Sequence, residues 1–120
     1  MTAQDKDRVL IVEDESDVLE TYRLWLQGTY EVHGVQNGRE AIETVDESYS
    51  VAIIDRVMDG VPGDEVLEHI REEELDIRIV MVTAIDPPED DEIRGQSDTY
   101  RTKPIGSKEL LKAVNPAVAK

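Results

Sequence analysis

Apolar residues arrive in short runs separated by stretches of helical spacing. Val9-Leu10-Ile11-Val12, Val51-Ala52-Ile53-Ile54 and Ile79-Val80-Met81-Val82 are apolar runs that each stop at a polar side chain, Glu13, Asp55 and Thr83 respectively. Unalternated runs of this length suit strands buried on both faces, as in a parallel sheet covered by helices above and below. Between them the period changes. Val18, Tyr22 and Trp25 fall at helical spacing and predict a helix over 17–27, with Ser16 as its cap and Gly28-Thr29 as its end. A second strand is expected over 30–35, a turn at Asn37-Gly38, and a helix over 39–46 that turns Ala41, Ile42 and Val45 to one side.

The third strand spans 51–55, and the loop 59–63 (Asp-Gly-Val-Pro-Gly) leads to a helix over 64–74 burying Val66, Leu67 and Ile70. The fourth strand is 78–83. The pattern then weakens: residues 85–92 hold two prolines and four consecutive acids, and only Ile93 offers an apolar anchor, so one or two helical turns are the most expected there. A short polar strand at 99–102 follows. The last helix is capped by Ser107, carries Leu110, Leu111 and Val114, and is limited by Pro116. Trp25 and Met81 are assigned to the core, and the isolated His33 and His69 receive no role.

Five strands alternating with helices give an α/β, doubly wound five-stranded parallel sheet with a short or degenerate fourth helix. Right-handed crossovers carry all the strand-end loops to one edge, so Glu13, Asp14, Asp55 and Thr83 should converge. Like charges a few ångströms apart disfavour joint ionisation. A hard divalent cation, Mg²⁺ or a close relative, is the simplest resolution for oxygen ligands.

Composition narrows the function classes. The 120 residues predict one domain, 1–120, with a polar N-terminal tail at 1–7. With no cysteine, disulfides and thiolate metal sites are excluded. No apolar run approaches the roughly 20 residues that span a bilayer, so no membrane association is expected and a cytoplasmic location is the default. A net charge of −15, from 28 acids against 13 bases, argues against direct nucleic acid binding. The acids are spread along the whole chain. That suits adaptation to high salt, where screening removes self-repulsion.

The chain resembles the receiver domain of two-component response regulators along nearly its full length. The matching pieces are Ile11-Val12-Glu13-Asp14-Glu15, Ile53-Ile54-Asp55-Arg56-Val57-Met58, Met81-Val82-Thr83-Ala84 and Tyr100-Arg101-Thr102-Lys103-Pro104, in order and each at a strand end. The resemblance implies a flavodoxin-like (βα)5 fold with Asp55 as phosphoacceptor. It implies that Asp14, Asp55 and the Val57 carbonyl bind Mg²⁺ with help from Glu13, Mn²⁺ being a possible substitute. Thr83 and Lys103 would hold phosphoryl oxygens, Thr83 and Tyr100 would form the switch, and Pro104 would follow a cis peptide bond. The implied partner is a sensor histidine kinase or phosphotransfer protein, with homodimerisation as a further possibility.

The implied role is a phosphorylatable switch rather than an ordinary enzyme. The alternative reading is a degenerate receiver, a protein-interaction module without phosphorylation-driven switching. A phosphohydrolase of the Asp-x-Asp type lacks its second acid, since Val57 stands there, and a flavin phosphate would meet Glu13-Asp14-Glu15. Two departures from the family pattern stand out: Asp59 where proline commonly follows the methionine, and Pro87, Pro88 and the acids at 89–92 where a fourth helix belongs.

Overall fold

The computed structural model describes residues 7–87 and 89–115. Ten elements alternate along the chain: β1 (Arg8–Val12), α1 (Ser16–Leu26), β2 (Glu31–Val35), α2 (Gly38–Thr44), β3 (Val51–Ile54), α3 (Gly63–Glu72), β4 (Arg78–Thr83), α4 (Glu92–Gln96), β5 (Thr99–Thr102) and α5 (Ser107–Val114). The five strands form one sheet in the order β2-β1-β3-β4-β5, with every neighbouring pair parallel. The α/β doubly wound architecture expected from the pattern is the one observed.

Strand periodicity divides the core. Leu10, Val12, Ala52, Ile54, Ile79 and Met81 face one way and pack with Ala41 of α2, Val66, Leu67 and Ile70 of α3, and Ile93 of α4. Their alternates Val9, Ile11, Val51, Ile53, Val80 and Val82 face the other way, against Leu19, Tyr22 and Leu26 of α1 and Leu110, Ala113 and Val114 of α5. Because helices cover both faces, β1, β3 and β4 read as continuous apolar runs.

Register explains why the strand ends meet. Val12 lies opposite Ile54, so Glu13 and Asp55 leave the sheet side by side. Ile54 lies opposite Met81, and Thr83 opposite Thr102, so Lys103 follows just past the end of β4. The ladder continues one step beyond each strand: the Glu13 amide donates to the Val35 carbonyl, that of Asp55 to Val12, and that of Lys103 to Thr83 (3.1, 3.1 and 2.8 Å).

Local details correct the sequence reading. Ser16 and Ser107 are the first residues of their helices, not caps; the cap positions are Glu15 and Gly106, neither of which makes a side-chain capping bond. Asn37 is a true cap, its side chain accepting from the Glu40 amide at 2.8 Å. The second helix is shorter than its apolar pattern, ending at Thr44, with Val45 already extended. Trp25 is only partly buried and lines a surface hollow, because the core beneath α1 is filled by Leu19, Tyr22 and Leu26. Met81 is fully buried as expected. The N-terminal tail apart from Asp7, Pro88 of the weak fourth-helix segment, and the limit assigned to Pro116 lie outside the described residues.

Candidate functional site

Two carboxylates at this edge are buried. Glu13 is 1% exposed and Asp55 is 7% exposed. The Lys103 ammonium donates to both, at 2.9 Å to Glu13 Oε1 and 2.9 Å to Asp55 Oδ2. Burial pushes the Glu13 carboxyl above its usual value, with the neighbouring Asp55 charge acting in the same direction and Lys103 opposing both. Burial also opposes the charge on Lys103, but its hydrogen bonds to Asp55 and Glu13 outweigh that and hold its pKa above the usual lysine value. The triad carries one net negative charge and is therefore poised for cations rather than anions.

The remaining oxygens are held by backbone. Glu13 Oε2 accepts from the Glu15 amide at 3.2 Å, and Asp55 Oδ1 from the Val57 amide at 3.1 Å. Thr83 is wholly buried, and its Oγ1 is the one buried side-chain polar atom without a hydrogen-bond partner among the described residues. Such an atom costs stability unless something else satisfies it.

Asp14 stands apart. It is half-exposed, and its Oδ2 accepts from the Asp59 amide at 3.4 Å, a donor that a proline at that position would lack. Among the described residues no three acidic or histidine side chains stand in metal-holding positions. Asp14 and Asp55 nevertheless line one cavity of about 330 Å³, together with Glu15, Val57, Ala84 and Lys103. The carboxylate oxygens of Asp14 and Asp55 suit a hard cation such as Mg²⁺.

The loop after β3 is held by a close backbone approach. Gly63 opens α3 with its amide on the Arg56 carbonyl at 3.1 Å, and a Cβ there would lie 2.0 Å from the Asp55 carbonyl oxygen. Gly60, at φ 79°, allows the turn that brings Gly63 back.

Tyr100 packs partly buried against the core beside α4. Its hydroxyl donates to the Ile85 carbonyl at 2.7 Å and accepts from Arg56 Nη1 at 3.3 Å. The Lys103–Pro104 bond is cis. Glu13, Asp55 and Lys103 are thus drawn together, Thr83 ends the adjacent strand, and Asp14 shares their cavity without joining the ion pair. Sequence reading placed Gly63 only in the loop 59–63 and gave Arg56 no role of its own. The signal for Gly63 was the Pro-Gly that precedes a helix; for Arg56 there was none, since its partners lie 8, 35 and 44 residues away.

The family profile described as the response regulator receiver domain matches residues 9–115. The chain belongs to that family. It is 39% identical over 107 residues to a candidate transcriptional regulator of Haloferax volcanii, covering 88% of this chain and 18% of that protein. It is 35% identical over 112 residues to the regulatory protein VanRB of Enterococcus faecalis, covering 89% of this chain and 50% of that one. Among solved structures, the response regulator TrrA of Thermotoga maritima in complex with Mg²⁺ and BeF matches with a TM-score of 0.81 and 31% identity, over 92% of this chain and 97% of that one. The chain spans half or less of the length of these two curated relatives. The likeness to a Haloferax protein accords with the acidic composition. No helix among the described residues is long and apolar enough to cross a membrane.

Proposed function

We propose that Asp55 accepts a phosphoryl group from a phosphohistidine on a sensor histidine kinase or phosphotransfer protein, and that this switches the conformation of the chain. An Asp55 carboxylate oxygen attacks phosphorus, the P–N bond of the donor breaks, and its electron pair returns to the donor imidazole, leaving an acyl phosphate on Asp55. Asp14, Asp55 and the Val57 carbonyl, with Glu13 beside them, would hold Mg²⁺, or Mn²⁺ in its place, which would supply charge neutralisation of the phosphoryl oxygens.

The chain's own residues do the rest. Lys103, already 2.9 Å from Asp55, stabilises the charge that develops on the transferring group. Thr83 donates its otherwise unpartnered hydroxyl to a phosphoryl oxygen, and its movement lets Tyr100 reset against the core. The chain assists its own modification and turns over no further substrate. An apolar hollow of about 510 Å³, lined by Val18, Tyr22, Trp25, Pro104 and Ile105, opens beside Lys103 and gives the histidine-bearing donor a place to rest. A second copy of the chain is a further candidate partner. The charge of −15 speaks against DNA as a direct one, and the cytoplasm is the compartment this chemistry suits.

The observation that carries this reading is one ammonium shared by two buried carboxylates 90 and 48 residues away in sequence. With its polar set intact, the site supports a working receiver over a degenerate one. Incubation with acetyl phosphate and Mg²⁺, read by intact mass, should add one phosphoryl group to the wild-type chain and none to Asp55→Asn. Equal labelling of the two would refute the assignment.

A further inference from the structure

α4 is poorly equipped to stay in place by packing. It has five residues and buries only Ile93. Arginines grip both of its ends instead. At the C-terminal end Arg71 of α3 donates to the Gln96 carbonyl at 3.1 and 2.8 Å and to Asp98 at 3.1 Å. At the N-terminal end Arg56 donates to Asp91, whose Oδ2 also accepts from the Arg94 amide as the cap of the helix.

The Arg56 side chain is 12% exposed and its guanidinium is fully engaged. It meets Asp64 of α3 through a two-pronged pair (3.0 and 3.1 Å), Asp91 through two bonds (2.6 and 3.4 Å), and the Tyr100 hydroxyl at 3.3 Å. A guanidinium has five N–H donors in a rigid fork, and all five are used here. Asp91 is partly buried, its side chain 9% exposed. One side chain therefore joins α3, the α4 cap and β5, and its backbone is the residue next to Asp55.

We propose that Arg56 is a positioning residue that ties α4 and Tyr100 to the loop bearing Asp55, so that movement of that loop on phosphorylation is delivered to the α4–β5 face. This rests on Asp55 being the phosphoacceptor. Arg71 also holds α4, through more exposed bonds, but reaches no part of that loop, which makes it the natural control. The charge-assisted bonds are strong enough, and sheltered enough from solvent, to move a helix with so little apolar anchoring.

Hydrogen exchange read by mass spectrometry across residues 91–102 tests the idea, in the full chain with and without acetyl phosphate and Mg²⁺. Without phosphate, Arg56→Met should exchange about tenfold faster over 92–97 than wild type, with α1 and α2 unchanged. Unaltered exchange there would show that no clamp exists. This arm stands even if the wild-type chain takes no label, a result that would strike the assignment of Asp55 instead. With phosphate, Arg56→Met should still be labelled but lose the phosphorylation-dependent change over 91–102. Arg71→Met should loosen α4 yet keep that change, and Arg56→Lys, which keeps the charge without the fork, should retain part of it. A wild-type response in Arg56→Met, or an equal loss in Arg71→Met, would overturn the proposal.

Discussion

Glu13 and Asp55 come to lie buried side by side because their strands are in register, and a pair of buried carboxylates is tolerable only with a cation between them. Lys103 supplies that charge from 48 residues beyond Asp55. The geometry of the acceptor loop depends on a residue with no side chain at all. A Cβ on Gly63 would meet the Asp55 carbonyl oxygen, a backbone atom that cannot swing aside. Gly63→Ala should therefore cost about 1–3 kcal/mol, the upper end being expected because backbone rather than a flexible side chain must yield. Urea denaturation checks this, and an unchanged midpoint would mean the loop is looser than the structure has it.

At the scale of elements, α4 is held more by charge than by apolar packing. Burial pushes the Asp91 carboxyl up, but its hydrogen bonds and attraction to Arg56 prevail and hold its pKa below the usual 3.8. A depressed folded value means stabilisation that is present above the unfolded pKa and fades as pH falls through the folded one. Asp91→Asn keeps a side-chain oxygen to cap α4 but loses the charge. It should lower stability by on the order of 1–2 kcal/mol at pH 7, and the gap from wild type should close as the pH is taken below 3.8. A gap that is constant from pH 7 to pH 3 would remove the ion pair from the account. The paucity of apolar residues over 85–98 made α4 legible as a short helix. Its means of attachment was not legible, because Asp91 reads as one acid among four until Arg56 is seen beside it.

For the whole molecule, what could be read in advance followed from periodicity. Apolar runs buried on both faces gave the parallel sheet, and crossovers of one hand gave the shared edge on which Glu13, Asp14, Asp55 and Thr83 lie. Side-chain direction within that edge was beyond periodicity. Asp14 shares a cavity with Asp55, but its bond to the Asp59 amide in place of the Lys103 pair was not legible, and Trp25 reads as core although it lines an outer hollow. The long-range pairings of Lys103 and Arg56 likewise depend on tertiary geometry. The central claim is that this edge receives a phosphoryl group on one aspartate. A crystal structure of the chain with Mg²⁺ and beryllofluoride, a mimic of that group, tests it most directly. The account predicts beryllofluoride bonded to an Asp55 oxygen, with the Thr83 hydroxyl and the Lys103 ammonium turned onto its fluorines. A bare Asp55, or the mimic seated on another side chain, would contradict it.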